Sequence, residues 1–308
     1  MNLSTIKKIV LAFVVAITIS GVAAQDTEEN NAKKGMRITA FNIDLGFNGS
    51  YAVLTVDDYL KMKNTAVDQS EFISNPEDYS LDSYSGSGGG FAPSISLGFT
   101  PYSKKRGAYN YNREFRIKLG GSFGGRRSFF FSQSESFPYD TLTSSIGNPD
   151  IYIDSVYYNN PTYVETISEI NIGLSYLFKT NASKRWHFYA GVGAEYGYAF
   201  QDYVTINHSE GYYGTGSYNN YNSNYYNNNN NYSDNTSKSK LTSNTHFVRM
   251  YIPLGINFRI ANNNDFFKHL NIYSQFSPGM EFQIVTGVET YTNPYIGVAV
   301  VGLRYTFD

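Results

Sequence analysis

The chain of 308 residues has no cysteine. That excludes a disulfide framework, a thiolate nucleophile, a lipidated cysteine and any cysteine-ligated metal. Proline is scarce, with 9 residues, and there is a single tryptophan. Charge of one sign is missing too: 24 Lys and Arg stand against 26 Asp and Glu, for a formal net charge of −2. Such a balance offers no surface potential to recruit nucleic acid or anionic lipid. After the first 24 residues no apolar run approaches the ~20 residues of a spanning helix. No phosphate-binding loop and no metal-ligand spacing occurs, so the reading calls for no cofactor.

What is present begins with residues 1–24. Lys7 and Lys8 precede the apolar stretch Ile9–Ile19, and Val22, Ala23 and Ala24 supply small residues before Gln25. This is the pattern of a secretory signal peptide, cleaved near Ala24, with 25–36 left as a short N-terminal segment. A membrane anchor is the weaker reading, because the run is too short. Aromatic content is 17%, with 29 Tyr and 22 Phe, which argues against wholesale disorder.

Eight segments alternate apolar and polar residues, the period of a half-buried strand. Phe41, Ile43, Leu45 and Phe47 share one face, as do Ile95, Leu97 and Phe99. The pattern recurs from Phe115 to Phe123, Ile170 to Phe178, Trp186 to Phe200, Val248 to Phe258 and Leu270 to Phe282. It ends with Ala299, Val301, Leu303, Tyr305 and Phe307. Long connections, about 48–90, 124–162 and 201–244, alternate with short ones. Aromatics gather at the ends of the apolar faces (Phe91 and Phe99, Phe115 and Phe123, Tyr295 with Tyr305 and Phe307) and aliphatics hold the middles. An apolar band between aromatic girdles has this composition.

With these segments and the ending "GLRYTF", residues 39–307 resemble the small outer-membrane β-barrels of OmpA/OmpX-like, porin-family type in Gram-negative bacteria. The resemblance implies an all-β fold: a transmembrane, antiparallel, up-and-down barrel over 37–308, eight-stranded first and ten-stranded as the alternative. It also implies residence in the cell outer membrane as a monomer surrounded by lipid, with 25–36 in the periplasm. In that family the barrel-assembly machinery recognises the closing strand, which corresponds here to Leu303, Tyr305 and Phe307.

If the apolar face meets lipid, period two points Asp44, Arg116, Lys118, Glu169, His187, Glu195, Arg249, Arg259, Glu281 and Arg304 inward. Both signs are present, so an ion-pair network plugging the lumen is expected. The alternative is a charge-graded passive channel for small solutes or apolar molecules. A lipid-modifying enzyme would need a Ser/His/acid set at the rim. His246, near Ser243 and Thr245, has the position but no acid beside it, so no catalysis is expected.

The long connections carry the rest. Thr55 and Asp58 form a capping box that starts a short helix, and the acidic residues around it read as solvated rather than calcium-binding. "DIYIDSVYYNNPTYVETI" reads as a hairpin turning at Asn159-Asn160. The Asn/Tyr-rich stretch Gly211–Lys240 reads as mobile and dispensable, with His208 in the same loop and His269 in a periplasmic turn. Its tyrosines are the candidate contacts for an extracellular ligand. The expected role is that of a surface protein, structural or interacting and adhesive in character, without nucleic acid as a partner.

Overall fold

Alternating side chains need two different environments, and a sheet closed on itself supplies them. The computed structural model describes residues 35–82, 86–103, 108–142, 151–181, 184–217, 233–242, 244–261, 264, 266–286 and 289–307. Its strands form one sheet in which every pairing is antiparallel, and the ring closes between the first and last strands. β1 (Met36–Ser50) pairs with β15 (Glu289–Thr306) on one side and with β5 (Ser94–Ser103) on the other. From β5 the circuit runs through β7 (Arg113–Leu142), β9 (Thr162–Lys179) and β10 (Trp186–Ser217). It continues through β12 (Thr245–Tyr251) and β13 (Leu254–Arg259) to β14 (Leu270–Val285), and so to β15.

The eight strands expected from the alternation are fifteen among the described residues. Proline is one cause, since it cannot donate to a ladder. Pro93 separates β4 (Gly89–Phe91) from β5, and Pro253 separates β12 from β13. Pro161 separates β8 (Ile151–Asn159) from β9. The expected hairpin at Asn159-Asn160 is therefore a break within one descending path. Asn159 at the foot of β8 faces Gln133 and Glu210, and Thr162 at the head of β9 faces Phe130 and Asn207. Asn160 keeps the line by donating its N–H to the Ser209 carbonyl at 2.8 Å.

The other cause is height. Much of the expected loops 124–162 and 201–244 is strand, so that β7 has 30 residues and β10 has 32. β11 (Ser233–Lys240) lies along β10 from Glu210 to Tyr203. His208 thus belongs to β10, with Nε2 2.8 Å from the Glu71 carbonyl, and not to a mobile loop. The signal segment and residues 218–232 lie outside the described residues.

Bulges decide which face a residue reaches. β1 pairs with Val301 and then Ala299, skipping Val300, and β14 pairs with Gly302 and then Ala299, so a bulge there flips the parity of β15. Tyr295, expected in the outward girdle, consequently faces the interior and is 5% exposed. The ladder between β7 and β9 skips position 126, and that between β9 and β10 skips Phe200. Above those bulges Arg127, Phe129 and Phe131 face inward on β7, as do Asp202, Val204 and Ile206 on β10.

The inward face of the tall strands is covered by the segment after β1. Helix α1 (Val56–Thr65) starts at the expected box: the Asp58 N–H donates to Thr55 Oγ1 at 3.3 Å, and the Thr55 N–H donates to Asp58 Oδ2 at 2.9 Å. Its Tyr59 and Met62, followed by Phe72 and Ile73, pack on Phe129, Phe131, Tyr163, Val204, Ile206 and Leu241. The Tyr59 ring sits 4.8 Å from Phe131 and 4.9 Å from Tyr163, centroid to centroid. Each such side chain contributes about 1.5–3 kcal/mol on burial. These side chains form an apolar cap at the tall end of the ring.

Two hydroxyls in this cap differ. The Tyr163 hydroxyl accepts from the Ile73 N–H at 3.0 Å and donates to the Glu71 carbonyl at 3.4 Å. The Tyr59 hydroxyl has no partner among the described residues, and burial pushes its pKa well above the usual phenol range. Tyr59→Phe is expected to leave stability unchanged or to raise it, whereas Tyr163→Phe strands the Ile73 N–H and costs about 1–2 kcal/mol. Urea unfolding midpoints of the two variants check this, and a larger loss for Tyr59→Phe would contradict it. Deleting Gly211–Lys240 removes β11, whose Ser239 Oγ donates to the Asp68 carbonyl at 2.8 Å and accepts from the Asp68 N–H at 3.2 Å. That deletion should lower the temperature at which the compact form disappears from unboiled gel samples.

Candidate functional site

Inside the ring, alternate residues of every strand converge, and most of the large ones are charged. A charge removed from water must be paired, or its burial costs several kcal/mol. The structure meets this demand with two clusters of opposite design.

The lower cluster centres on one carboxylate. Glu114, at the start of β7, is fully buried and receives three cations. Arg304 of β15 forks onto it, with Nη1 3.0 Å from Oε1 and Nη2 on Oε2. Lys179 of β9 bonds Oε2, and Arg116 donates from Nε to Oε1 at 3.1 Å. The Arg116 guanidinium also lies over the rings of Tyr189 and Tyr273, at 5.6 and 5.8 Å. Asp44 stands just above, accepting from Ser94 Oγ at 2.8 Å and from the Tyr273 hydroxyl at 2.7 Å.

The upper cluster centres on one guanidinium. Arg249 of β12 is fully buried and meets three carboxylates. Its Nη1 is 2.6 Å from Glu169 and 2.8 Å from Glu195, its Nη2 is 2.8 Å from Glu169, and its Nε is 2.6 Å from Glu281. Lys118 of β7 joins through Glu195. The rings of Phe247 and Tyr295 flank the guanidinium at 5.0 and 5.3 Å.

Glycine makes room for the rings among these charges. A Cβ on Gly302 would fall 2.3 Å from the Tyr273 ring, and one on Gly193 would fall 2.6 Å from that of Tyr251. Both are closer than any side chain tolerates, so each tyrosine occupies the space left by a glycine on the neighbouring strand. Between the clusters a cavity of about 50 Å³ remains, lined among others by Asp44, Arg116, Lys118 and Gln275. At ~10–15 Å³ of such space per water, it has room for a few water molecules.

Eight of the nine charges expected in the interior network therefore lie in or beside these clusters: Asp44, Arg116, Lys118, Glu169, Glu195, Arg249, Glu281 and Arg304. The ninth, Arg259, is half-buried at the foot of β13, its carbonyl 3.3 Å from Arg185 Nε. His187, also expected inside, is buried. Sequence reasoning missed Glu114 and Lys179, although parity with Arg116 and Leu177 marks both as inward. It also missed a third layer, where Arg127 grips Glu165 with Nε at 2.5 Å and Nη2 at 2.7 Å. No alternation signal marks Arg127, because the bulge at position 126 reverses its face.

His246 lies on the outer face with Nδ1 2.7 Å from the Tyr196 hydroxyl, and its ring packs beside Tyr196 and Tyr198. Thr245 points the other way, 1% exposed, and donates to Asp202 Oδ2 at 3.4 Å. Ser243 lies outside the described residues. The acidic residues of the first long connection serve local bonds: Asp57 pairs with Lys61 at 2.8 Å and Asp68 accepts from the Ser70 N–H at 2.9 Å. Leu303 is exposed on the outer face, while Tyr305 and Phe307 stack edge-to-face at 5.3 Å.

Replacing Arg249 by Ala would strand three carboxylates in the interior and should cost on the order of 3–5 kcal/mol. Adding Glu169→Gln and Glu281→Gln to that variant should recover part of the loss. Denaturant midpoints of refolded protein in detergent measure both. An unchanged midpoint for Arg249→Ala would mean that water reaches the cluster freely.

No protein-family model matches this chain, and no curated protein matches it either. Among solved structures it is similar to the outer membrane protease OmpT from Escherichia coli, at 9% identity and a TM-score of 0.25, over 91% of this chain and 99% of that one. It is also similar to the outer membrane channel DcaP of Acinetobacter baumannii, at 9% identity and a TM-score of 0.16, over 91% of this chain and 100% of the other. Pseudomonas aeruginosa OccK2 aligns at 8% identity with a TM-score of 0.13, over 89% of this chain and 100% of that one. Scores this low carry no argument about fold or activity, so the functional reading rests on the geometry.

Proposed function

We propose that this chain is an outer-membrane β-barrel whose lumen is closed and whose work is done at the cell surface, as a structural or interaction protein. One observation carries the reading: the ring has its sides reversed relative to a soluble protein. Ile170, Ile172, Leu174 and Phe178 on β9 are exposed while Glu169, Asn171 and Ser175 between them are buried. On β10, Trp186, Phe188, Val192, Tyr196, Tyr198 and Phe200 face out while His187, Glu195 and Ala199 face in. Water penalises so large an apolar surface, and a bilayer requires it. With the short strands β2 (Ser80–Leu81), β3 (Gly86–Ser87) and β6 (Ala108–Tyr109) counted, the fifteen strands group end to end into eight staves: β1, β2 to β5, β6 with β7, β8 with β9, β10, β11 to β13, β14 and β15. Eight staves give an interior just wide enough for side chains, which agrees with the filled lumen.

A bilayer uses about 9–11 residues of each strand. β7 and β10 exceed that roughly threefold. The tall end is the extracellular one, because periplasmic turns in such barrels are short. The apolar cap then lies over the outer mouth, above the ion pairs, and closes it twice over. A passive channel is the less supported reading for that reason. An outer-leaflet enzyme is less supported again, because His246 is engaged by a tyrosine and no acid. The outward Leu303, with Tyr305 and Phe307, is the surface we assign to the barrel-assembly machinery.

Refolded protein in planar bilayers is expected to give no current steps, and stable unitary conductance would overturn the closed-lumen reading. Phe307→Ala should leave the refolded barrel within about 1–3 kcal/mol of the parent while reducing outer-membrane delivery by a larger factor. Cell fractionation decides it, and normal outer-membrane levels would remove the assembly role.

A further inference from the structure

At the tall end of the ring, beside the cap, a cavity of about 240 Å³ opens between the start of α1 and strands β7, β14 and β15. Its rim is exposed: Val53, Thr290 and Thr292 all face solvent. At its inner end are Arg127 and Gln283, 8% and 4% exposed. Nε2 of Gln283 and Nη1 of Arg127 meet no hydrogen-bond acceptor of good geometry among the described residues, the Arg127 guanidinium lying 5.3 Å from the Tyr291 ring at the same cavity. Buried donors are nearly always satisfied in native proteins, so two at one cavity call for an acceptor.

The surroundings define that acceptor. Glu165 already takes Nε and Nη2 of Arg127, which balances its charge and leaves one donor over. Asp202 is an electrostatic neighbour of the same guanidinium, and the Asp58 carboxylate lines the cavity. An anionic ligand would meet these carboxylates unscreened, which disfavours it. A hydroxyl oxygen both accepts and donates, so it satisfies the Arg and Gln donors while bonding Asp58 or Asn293. The opposite wall is apolar, formed by Ala52, Val53 and Leu54, and suits a C–H face. The volume is below the ~300–1,000 Å³ of drug-sized pockets, enough for a single ring.

We infer that this cavity is a binding site for a neutral pyranose, either free or as the terminal unit of a surface glycan. The inference goes beyond the closed-barrel reading and stands apart from it, since protein refolded in detergent presents both ends of the ring.

Saturation-transfer NMR on the refolded full chain, in a detergent without a sugar headgroup, tests it with glucose, galactose, mannose and N-acetylglucosamine, and with glucuronate as the anionic control. At least one neutral sugar should show transfer with millimolar affinity, exceeding glucuronate by tenfold or more. Asn293→Trp fills the cavity from the inward face of β15 and should abolish transfer, and Gln283→Met, which removes a donor at similar volume, should weaken binding at least tenfold. The gel shift between boiled and unboiled samples verifies that both variants fold. Transfer to no sugar, stronger binding of glucuronate, or transfer that survives Asn293→Trp would each overturn the site. Silence towards free sugars would leave the conductance result, and with it the closed-barrel reading, untouched. A second arm separates the two sources: a terminal methyl glycoside competing as well as the free sugar supports recognition of a glycan end, and failure to compete supports the free sugar.

Discussion

Everything in this molecule turns on charges that have nowhere to go but toward each other. The ring exposes its apolar face outward, so polar side chains must share the interior and pair with one another there. Glu114 with three cations and Arg249 with three carboxylates are two solutions to the same constraint. Neither cluster balances alone. Pairing costs of this kind rarely improve stability over an apolar core. An apolar core was not available here, because apolar residues are committed to the outside.

The same constraint sets the rest of the interior. Tyrosines bring ring faces to the guanidiniums and hydroxyls to Asp44, and glycines on adjacent strands give those rings their space. Higher up, where strands leave the apolar band, the rule relaxes. There the inward face becomes Phe129, Phe131, Val204 and Ile206, and a conventional apolar core forms under α1. One strand therefore changes solvent logic along its length: β7 carries Arg116 and Lys118 inward near its foot and Phe129 and Phe131 inward above the bulge.

Much of this was legible in residue order. Period two marks the strands and, within an unbroken stretch, sorts Asp44, Arg116, Lys118 and Glu169 from their apolar neighbours. The capping box at Thr55 and Asp58 needs only local chemistry, and the helix begins there. What resisted reading has physical causes. A bulge adds one residue and reverses every face beyond it, which hid Arg127 and misdirected Tyr295. Ser, Asn and Tyr together look like loop composition, yet the upper parts of β7 and β10 hold as strand because each has a neighbour to pair with. Asn159-Asn160-Pro161 looks like a turn, but the chain passes straight through it between the same two strands. Pairing partners are tertiary facts, and no local window contains them.

The two clusters draw their members from seven different paths around the ring, and this bears on how the ring is made. A sheet still lacking its last two strands has Arg249 without Glu281 and Glu114 without Arg304. Such an arc would present half-satisfied charges along an open seam, the kind of object hydrocarbon rejects. In the membrane reading proposed above, the bilayer thereby acts as a proofreader: it admits the finished cylinder and turns back the unfinished one. On this view the interior charges act first as a gate on biogenesis, and the motion they oppose is that of an incomplete chain entering the membrane.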